Sequence, residues 1–461
     1  MASITCSNQH VAIASGSKVK VISYSDPSQV VVFDLKGKPK ETAEKTSEKQ
    51  KEEKKAEEET AAGIDHHVPT GRVLATAFSR SGAHFAACTD DKELTVWSTD
   101  PSWKKLWTRT VVKRCMAVTF DSSETALYVA DKAGDVYRFE IGDENKEHSL
   151  ILGHVSMLLD VVVSPDDNLI MTAERDEKIR VSHLPNAYNI HTFCMGHTEF
   201  ISRLAMLGSD HLISCAGDSS MIMWDYREGK ELCRTSFEWA RPSSEERGQK
   251  NEATVTCISC SKEHNLVAVT VLDHSTVPIY HIKTEKDGRR TFQEVTRIEC
   301  KHPPWSVTFD PSGRLLVLLP DPEAPLLVFV VETNDDDGVL QVSKDLSTEG
   351  SAALLAQQVQ QDWDFLKCSC DVLSVFKGLH KVPFDNMSDY LQRKQERMEN
   401  DQSKKGPRRR ARRWNKGKKR PIEGATGNGD AAKRTMLDEE EDDEEGEEEV
   451  DDEMEAVEAN S

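Results

Sequence analysis

The residues of this chain that could do chemistry are few and scattered. Cys257 and Cys260 stand in a CxxC arrangement, Cys368 and Cys370 lie two apart, and His66 and His67 are adjacent. A structural zinc site needs four ligands, in practice a second close pair of cysteines or histidines at a set distance. No such pair accompanies TVTCISCSKE, and that segment reads as a strand, so no metal is expected. Cys368 and Cys370 are isolated, and the two histidines sit beside a highly charged run that reads as an exposed loop. No glycine-rich strand-to-helix loop is present to cradle a dinucleotide, a nucleoside triphosphate or S-adenosylmethionine. No serine occupies a nucleophile elbow. These observations point to a protein with no catalysis and no cofactor of its own, whose work is binding.

Charge is strongly segregated. The net charge is −21, yet residues 438–461 alone hold 16 acidic residues and no basic one, and residues 404–420, KKGPRRRARRWNKGKKR, hold 11 basic residues and no acid. The basic tract suits nuclear import or contact with nucleic-acid phosphates, and Trp414 within it could stack on a base. Residues 36–60 carry eight lysines and eight glutamates with scarcely an apolar residue, so this insertion cannot form a core. Eleven cysteines, an odd number spread through strand-like segments, fit reduced thiols. No secretory signal pattern or membrane-length apolar run is seen, so the expected compartment is the nucleus, with the cytoplasm also possible.

The elements that position these residues come from an internal repeat. Short apolar strands recur as VVVF (30–33), LTVW (94–97), DVYRF (135–139), IRVS (179–182), MIMW (221–224), VPIY (277–280) and LLVF (326–329). From Trp97 through Tyr137, Ser182 and Trp224 to Tyr280 the steps are 40, 45, 42 and 56 residues. Turn signals every 8 to 12 positions mark antiparallel hairpins. This period predicts an all-β, seven-bladed WD-repeat β-propeller, with the strands around VAIASGSKVKVISY helping C-terminal strands to close the ring. The predicted organisation is N-terminal strands at 1–35, a disordered charged insertion at 36–69, blades over 70–382, a helix at 383–400, and disordered basic and acidic tails at 401–437 and 438–461. Such repeats lock their strands with a buried chain of histidine, turn aspartate and tryptophan. His197, Asp218 and Trp224 make a full set; His154 with Asp176, and Asp91 with Trp97, make partial ones. All seven read as structural.

Three segments carry a more specific likeness: LGHVSMLLDVVVSPDDNLIMTAERDEKIRVS (152–182), CMGHTEFISRL (194–204) and PFDNMSDYLQRKQERM (383–398). They resemble the non-catalytic WD-repeat subunit of the eukaryotic tRNA guanine-N7 methyltransferase. The resemblance implies a heterodimer with a separate catalytic subunit, which would bind S-adenosylmethionine and methylate a guanine in the tRNA variable loop. It also implies that Glu177, Lys178 and Arg180, on a strand where Ser182 replaces the repeat's tryptophan, meet that partner. Glu177 and Arg180 match the family's contact positions, and Lys178 is expected to face the other way. The basic residues Arg393, Lys394 and Arg397 of the C-terminal helix are a candidate RNA contact. The competing reading is a nuclear WD-repeat adaptor, such as a histone-binding protein or a ubiquitin-ligase substrate receptor.

Overall fold

The computed structural model describes residues 1–36, 71–143, 145–240, 253–333, 340–345, 350–370, 374–381 and 386–404. Residues 1–383 form one compact unit and residues 384–461 a second. The first unit is the expected seven-bladed propeller: seven four-stranded antiparallel sheets, each built from consecutive strands. The blades are β1–β4 (from Ser3–Cys6 to Val30–Asp34), β5–β8 (Val73–Phe78 to Lys104–Thr110), β9–β12 (Cys115–Phe120 to Ser149–Gly153), β13–β16 (Leu158–Val163 to Ile190–Met195), β17–β20 (Ile201–Leu207 to Lys230–Ser236), β21–β24 (Val255–Ser261 to Arg290–Glu299) and β25–β28 (Ser306–Phe309 to Leu340–Lys344). The first strand of each blade touches the first strand of the next, so seven inner strands ring the axis.

The core lies between blades rather than at one centre. Each of the seven seams has its own apolar cluster, such as Leu169, Ile179, Leu212 and Trp224 between blades 4 and 5. Burying a leucine-sized side chain contributes roughly 1.5–3 kcal/mol, so a seam left open forfeits many such terms.

Two sequence expectations change. VVVF (30–33) is the outermost strand of blade 1, and its third strand is KVKVIS at Lys18–Ser23. Blade 1 is also complete within residues 3–34, and among the described residues no C-terminal strand joins it. The ring closes instead by side chains and by two helices within the span 70–382 expected to hold blades, α1 (Ser351–Gln361) and α2 (Trp363–Lys367). Ala352, Leu355 and Val359 recur at helical spacing and enter the cluster that joins Ile4, Val11 and Ile13 of blade 1 to Leu316, Leu318 and Leu326 of blade 7. Trp363 stacks on Trp305 with ring planes 4° apart. Lys20, 2% exposed, reaches from β3 to the Asp362 carboxylate and to the Gln358 carbonyl oxygen, 3.0 Å away.

The second unit is described only as α3, Asn386–Lys404. Met387, Tyr390, Leu391 and Met398 are exposed on it. Residues 37–70, which take in all but the first residue of the insertion expected at 36–69 and include His66 and His67, and everything after residue 404, with Trp414, lie outside the described residues.

Removing one partner of an ion pair is costly when the charge left behind is buried, as Lys20 would be, whereas replacing Lys20 by a methionine of similar length leaves behind only a half-exposed carboxylate. Asp362 is half exposed, which tempers the loss. Asp362→Ala should therefore destabilise the chain by about 2 kcal/mol in urea denaturation, and Lys20→Met by much less; equal losses would show that the charge is immaterial.

Candidate functional site: the blade 4 edge

Antiparallel strands put the turns between second and third strands at the same end of the propeller as the crossings from blade to blade. His197 and Asp218 lie at this end, and blade 5 shows the complete arrangement. Trp224 Nε1–H donates to Ser214 Oγ at 2.8 Å; that hydroxyl lies 2.7 Å from His197 Nε2, and His197 Nδ1 lies 3.1 Å from Asp218 Oδ2. With tryptophan a donor only, this order makes Ser214 donate to Nε2 and Nδ1–H donate to the carboxylate. Asp218 also accepts the Thr198 and Ser220 N–H groups and the Ser220 hydroxyl. Burial pushes its carboxyl up, but the bonds from His197, Ser220 and Thr198 outweigh it and pull it down to about 2.

Blade 4 departs from this pattern. His154 Nδ1 bonds the Glu174 carboxylate at 2.8 Å, not Asp176, and its Nε2 lies 3.0 Å from Thr172 Oγ1. Glu174 ends the second strand, β14 (Leu169–Glu174), and its longer side chain reaches the ring from two residues before the predicted turn position. In blade 2 the turn carboxylate that binds backbone is likewise not Asp91 but Asp90, which accepts the Arg72 N–H at 2.7 Å. Trp97 is buried against Phe33, with ring centroids 4.7 Å apart.

Register explains the charged strand. In blade 5, Leu212 pairs with Trp224 and Ser214 with Ile222; in blade 4, Ile170 pairs with Ser182 and Thr172 with Arg180. Arg180 thus stands where blade 5 buries Ile222, and Ser182 where it buries Trp224. A half-buried guanidinium must be hydrogen-bonded. Its Nε donates to Ser182 Oγ at 3.0 Å, and its terminal nitrogens donate to the carbonyl oxygens of Gly153, at 3.2 Å, and Ala187, at 3.1 Å. The small serine is the acceptor that a tryptophan could not supply. Arg180 therefore braces the seam between blades 3 and 4 as well as presenting charge beside it.

Lys178 begins β15 (Lys178–His183), exposed, on the same side of the strand as Arg180, because residues two apart share a face. The expectation that it faces away from Arg180 does not hold. It pairs with Met195, which is 64% exposed, and Val155, two residues past the Gly153 carbonyl that Arg180 binds, is fully exposed. Glu177 lies in the preceding turn with φ 70° and forms an ion pair with Lys381. The structure thus gathers Lys178, Arg180, Val155 and Met195 along one edge and gives Glu177 a partner within the chain. Glu199, His380, Lys381 and Phe376, which nothing in the repeat pattern signals, adjoin it.

Other candidates are placed apart. Cys257 and Cys260 lie three apart in β21, so they point to opposite faces; burial pushes the Cys260 thiol up to about 12. Cys368 lies 3.3 Å from Ser15 Oγ on the helical closure. Arg393, Lys394 and Arg397 are exposed within α3, with Lys394 Nζ 6.0 Å from the Tyr390 ring centroid.

Two predictions follow from the polar chains. Glu174→Ala should cost about 1–3 kcal/mol in thermal unfolding by orphaning the His154 N–H, and Asp176→Ala close to nothing; the reverse order would contradict the geometry. Because the Asp218 carboxyl is depressed from 3.8 to about 2, it stabilises the fold above pH 4 and loses that contribution as pH falls towards 2. Asp218→Asn should lower stability at neutral pH by about 2 kcal/mol and flatten that part of the acid limb.

Comparison with known proteins agrees with this architecture. A solved structure described as U3-55K superposes with a TM-score of 0.54 at 17% identity, covering 69% of this chain and 87% of that one, which shows the fold alone. A zebrafish (Danio rerio) protein named tRNA (guanine-N(7)-)-methyltransferase non-catalytic subunit wdr4 is 38% identical over 72% of this chain and 79% of its own length. The human protein of that name is 35% identical over 84% and 88%. The family model for the tRNA methyltransferase TRM82 WD40 domain matches residues 11–146 and 141–325, and the chain belongs to that family.

Proposed function

We propose that this chain is the non-catalytic scaffold subunit of a tRNA guanine-N7 methyltransferase. It binds and stabilises a separate catalytic subunit, which carries S-adenosylmethionine, and the heterodimer forms 7-methylguanosine in the tRNA variable loop. Family membership and the names of the relatives support the non-catalytic role. The observation that carries the docking site is the blade 4 edge. There an arginine and a serine replace two buried apolar residues, next to exposed Lys178, Val155 and Met195. Interfaces of this kind combine an apolar contact with charges that fix register, and a charge removed from a desolvated pair costs about 2–5 kcal/mol. Arg393, Lys394 and Arg397 of α3 are a proposed tRNA contact. The basic tract at 404–420 supports a nuclear location.

The test is transfer of radiolabelled methyl from S-adenosylmethionine to tRNA by this chain, by the catalytic subunit, and by both together. Activity should need the mixture. Lys178→Glu should weaken the complex at least tenfold with unfolding unchanged, because Lys178 is exposed. Arg180→Glu should weaken the complex and also lower stability, because three internal hydrogen bonds are lost. A mixture no more active than the catalytic subunit alone would refute the proposal.

A further inference from the structure

The turn-bearing end of the propeller is covered by part of its own chain. Residues 374–381 belong to none of the seven sheets, yet they cross the mouth of the axial channel and run to the blade 4 edge. Phe376, 2% exposed, sits among Leu159 and Phe200, its ring 6.1 Å from that of Phe200 and nearly parallel to it. The Arg203 guanidinium lies 4.8 Å from the Phe376 ring, held there by bonds to the Thr256 and Ser202 carbonyl oxygens. Gly217 leaves room for this seat: a β-carbon there would come within 2.5 Å of the Phe200 ring.

Leu379 packs against the same apolar cluster, and the remaining contacts are mostly polar. Arg175 Nε donates to the Leu379 carbonyl oxygen at 3.4 Å. His380 Nε2 lies 3.1 Å from Thr254 Oγ1, and its ring meets Phe200 edge-on at 5.0 Å. The Lys381 N–H donates to Glu199 at 3.3 Å, and its ammonium pairs with Glu177.

An aromatic ring in a pocket, two backbone contacts and a terminal charge pair, without a shared β-ladder, are the contacts by which a short peptide is recognised rather than those that build a blade. We propose that the mouth of this propeller is a peptide-binding site, specific for an aromatic residue followed five positions later by a basic one, and that residues 374–381 fill it in cis. Because the segment belongs to the same chain, its binding is intramolecular, which raises its effective concentration, so a contact of modest affinity stays made and free peptides of the same kind are shut out. The site adjoins the edge formed by Lys178 and Arg180 at Glu177, and its occupancy can be read without the methyltransferase partner.

The test uses the full chain and a fluorescently labelled peptide of residues 374–381, SVFKGLHK, followed by anisotropy. The Phe376→Ala/Lys381→Ala double variant, whose site is vacated, should bind the peptide at least tenfold more tightly than the wild-type chain. Adding Glu177→Gln and Glu199→Gln should weaken binding again, and a peptide with alanine in place of phenylalanine should not bind. Circular dichroism and thermal melting accompany each variant. Equal binding by wild-type and vacated chains, or loss of folding in the double variant, would overturn the proposal, the latter because it would make Phe376 a core residue of the fold. Lys381→Ala alone should retain the fold and raise hydrogen exchange at 374–381; unchanged exchange there would count against the charge pair.

Discussion

Everything in this molecule depends on closing a ring. A blade is a sheet with two apolar faces, and each face is covered only if a neighbour stands on both sides. Six seams close between blades that are consecutive in the chain. The seventh must join Ile4, Val11 and Ile13, near the beginning, to Leu316, Leu318 and Leu326 more than 300 residues later. Blade 1 is complete by residue 34, among the described residues no shared strand ties this seam, and α1 with α2 covers it instead. The buried Lys20 ammonium gives the closure direction by bonding both the Asp362 carboxylate and the Gln358 carbonyl oxygen.

A closed ring makes a rigid platform, and the surface of blade 4 takes its character from local departures from the repeat. Where blade 5 spends two positions on Ile222 and Trp224, blade 4 spends them on Arg180 and Ser182, and the guanidinium finds its acceptors on the neighbouring blade's last strand and on its own outer loop. The same side chain thus secures a seam and places positive charge at its rim. That double use explains why a polar strand survives in a position the repeat normally makes apolar.

The fold was legible in the sequence because the repeat speaks with several voices at once: ring residues at Trp97, Tyr137, Trp224 and Tyr280, turns at regular spacing, and a glycine-histidine pair ahead of blade 5. The phase of an individual blade was less so, because KVKVIS and VVVF are equally good strands and hydrophobicity alone does not say which is third. Glu174 in place of Asp176 was missed because a longer carboxylate reaches the same histidine from another position. The helical closure carried a readable signal, Ala352, Leu355 and Val359 at helical spacing in a run of good helix formers. The covering of the channel mouth did not: the contacts of Phe376, His380 and Lys381 join residues more than 120 positions apart, and no local pattern encodes them.

We propose the rim of the seam between blades 3 and 4 as the place where a methyltransferase subunit docks. Hydrogen–deuterium exchange of the full chain, with and without the catalytic subunit, tests it most directly. Added protection concentrated at residues 153–156, 178–182 and 194–196 is the expected result. Protection confined to other blades, or none at all despite complex formation, would contradict it.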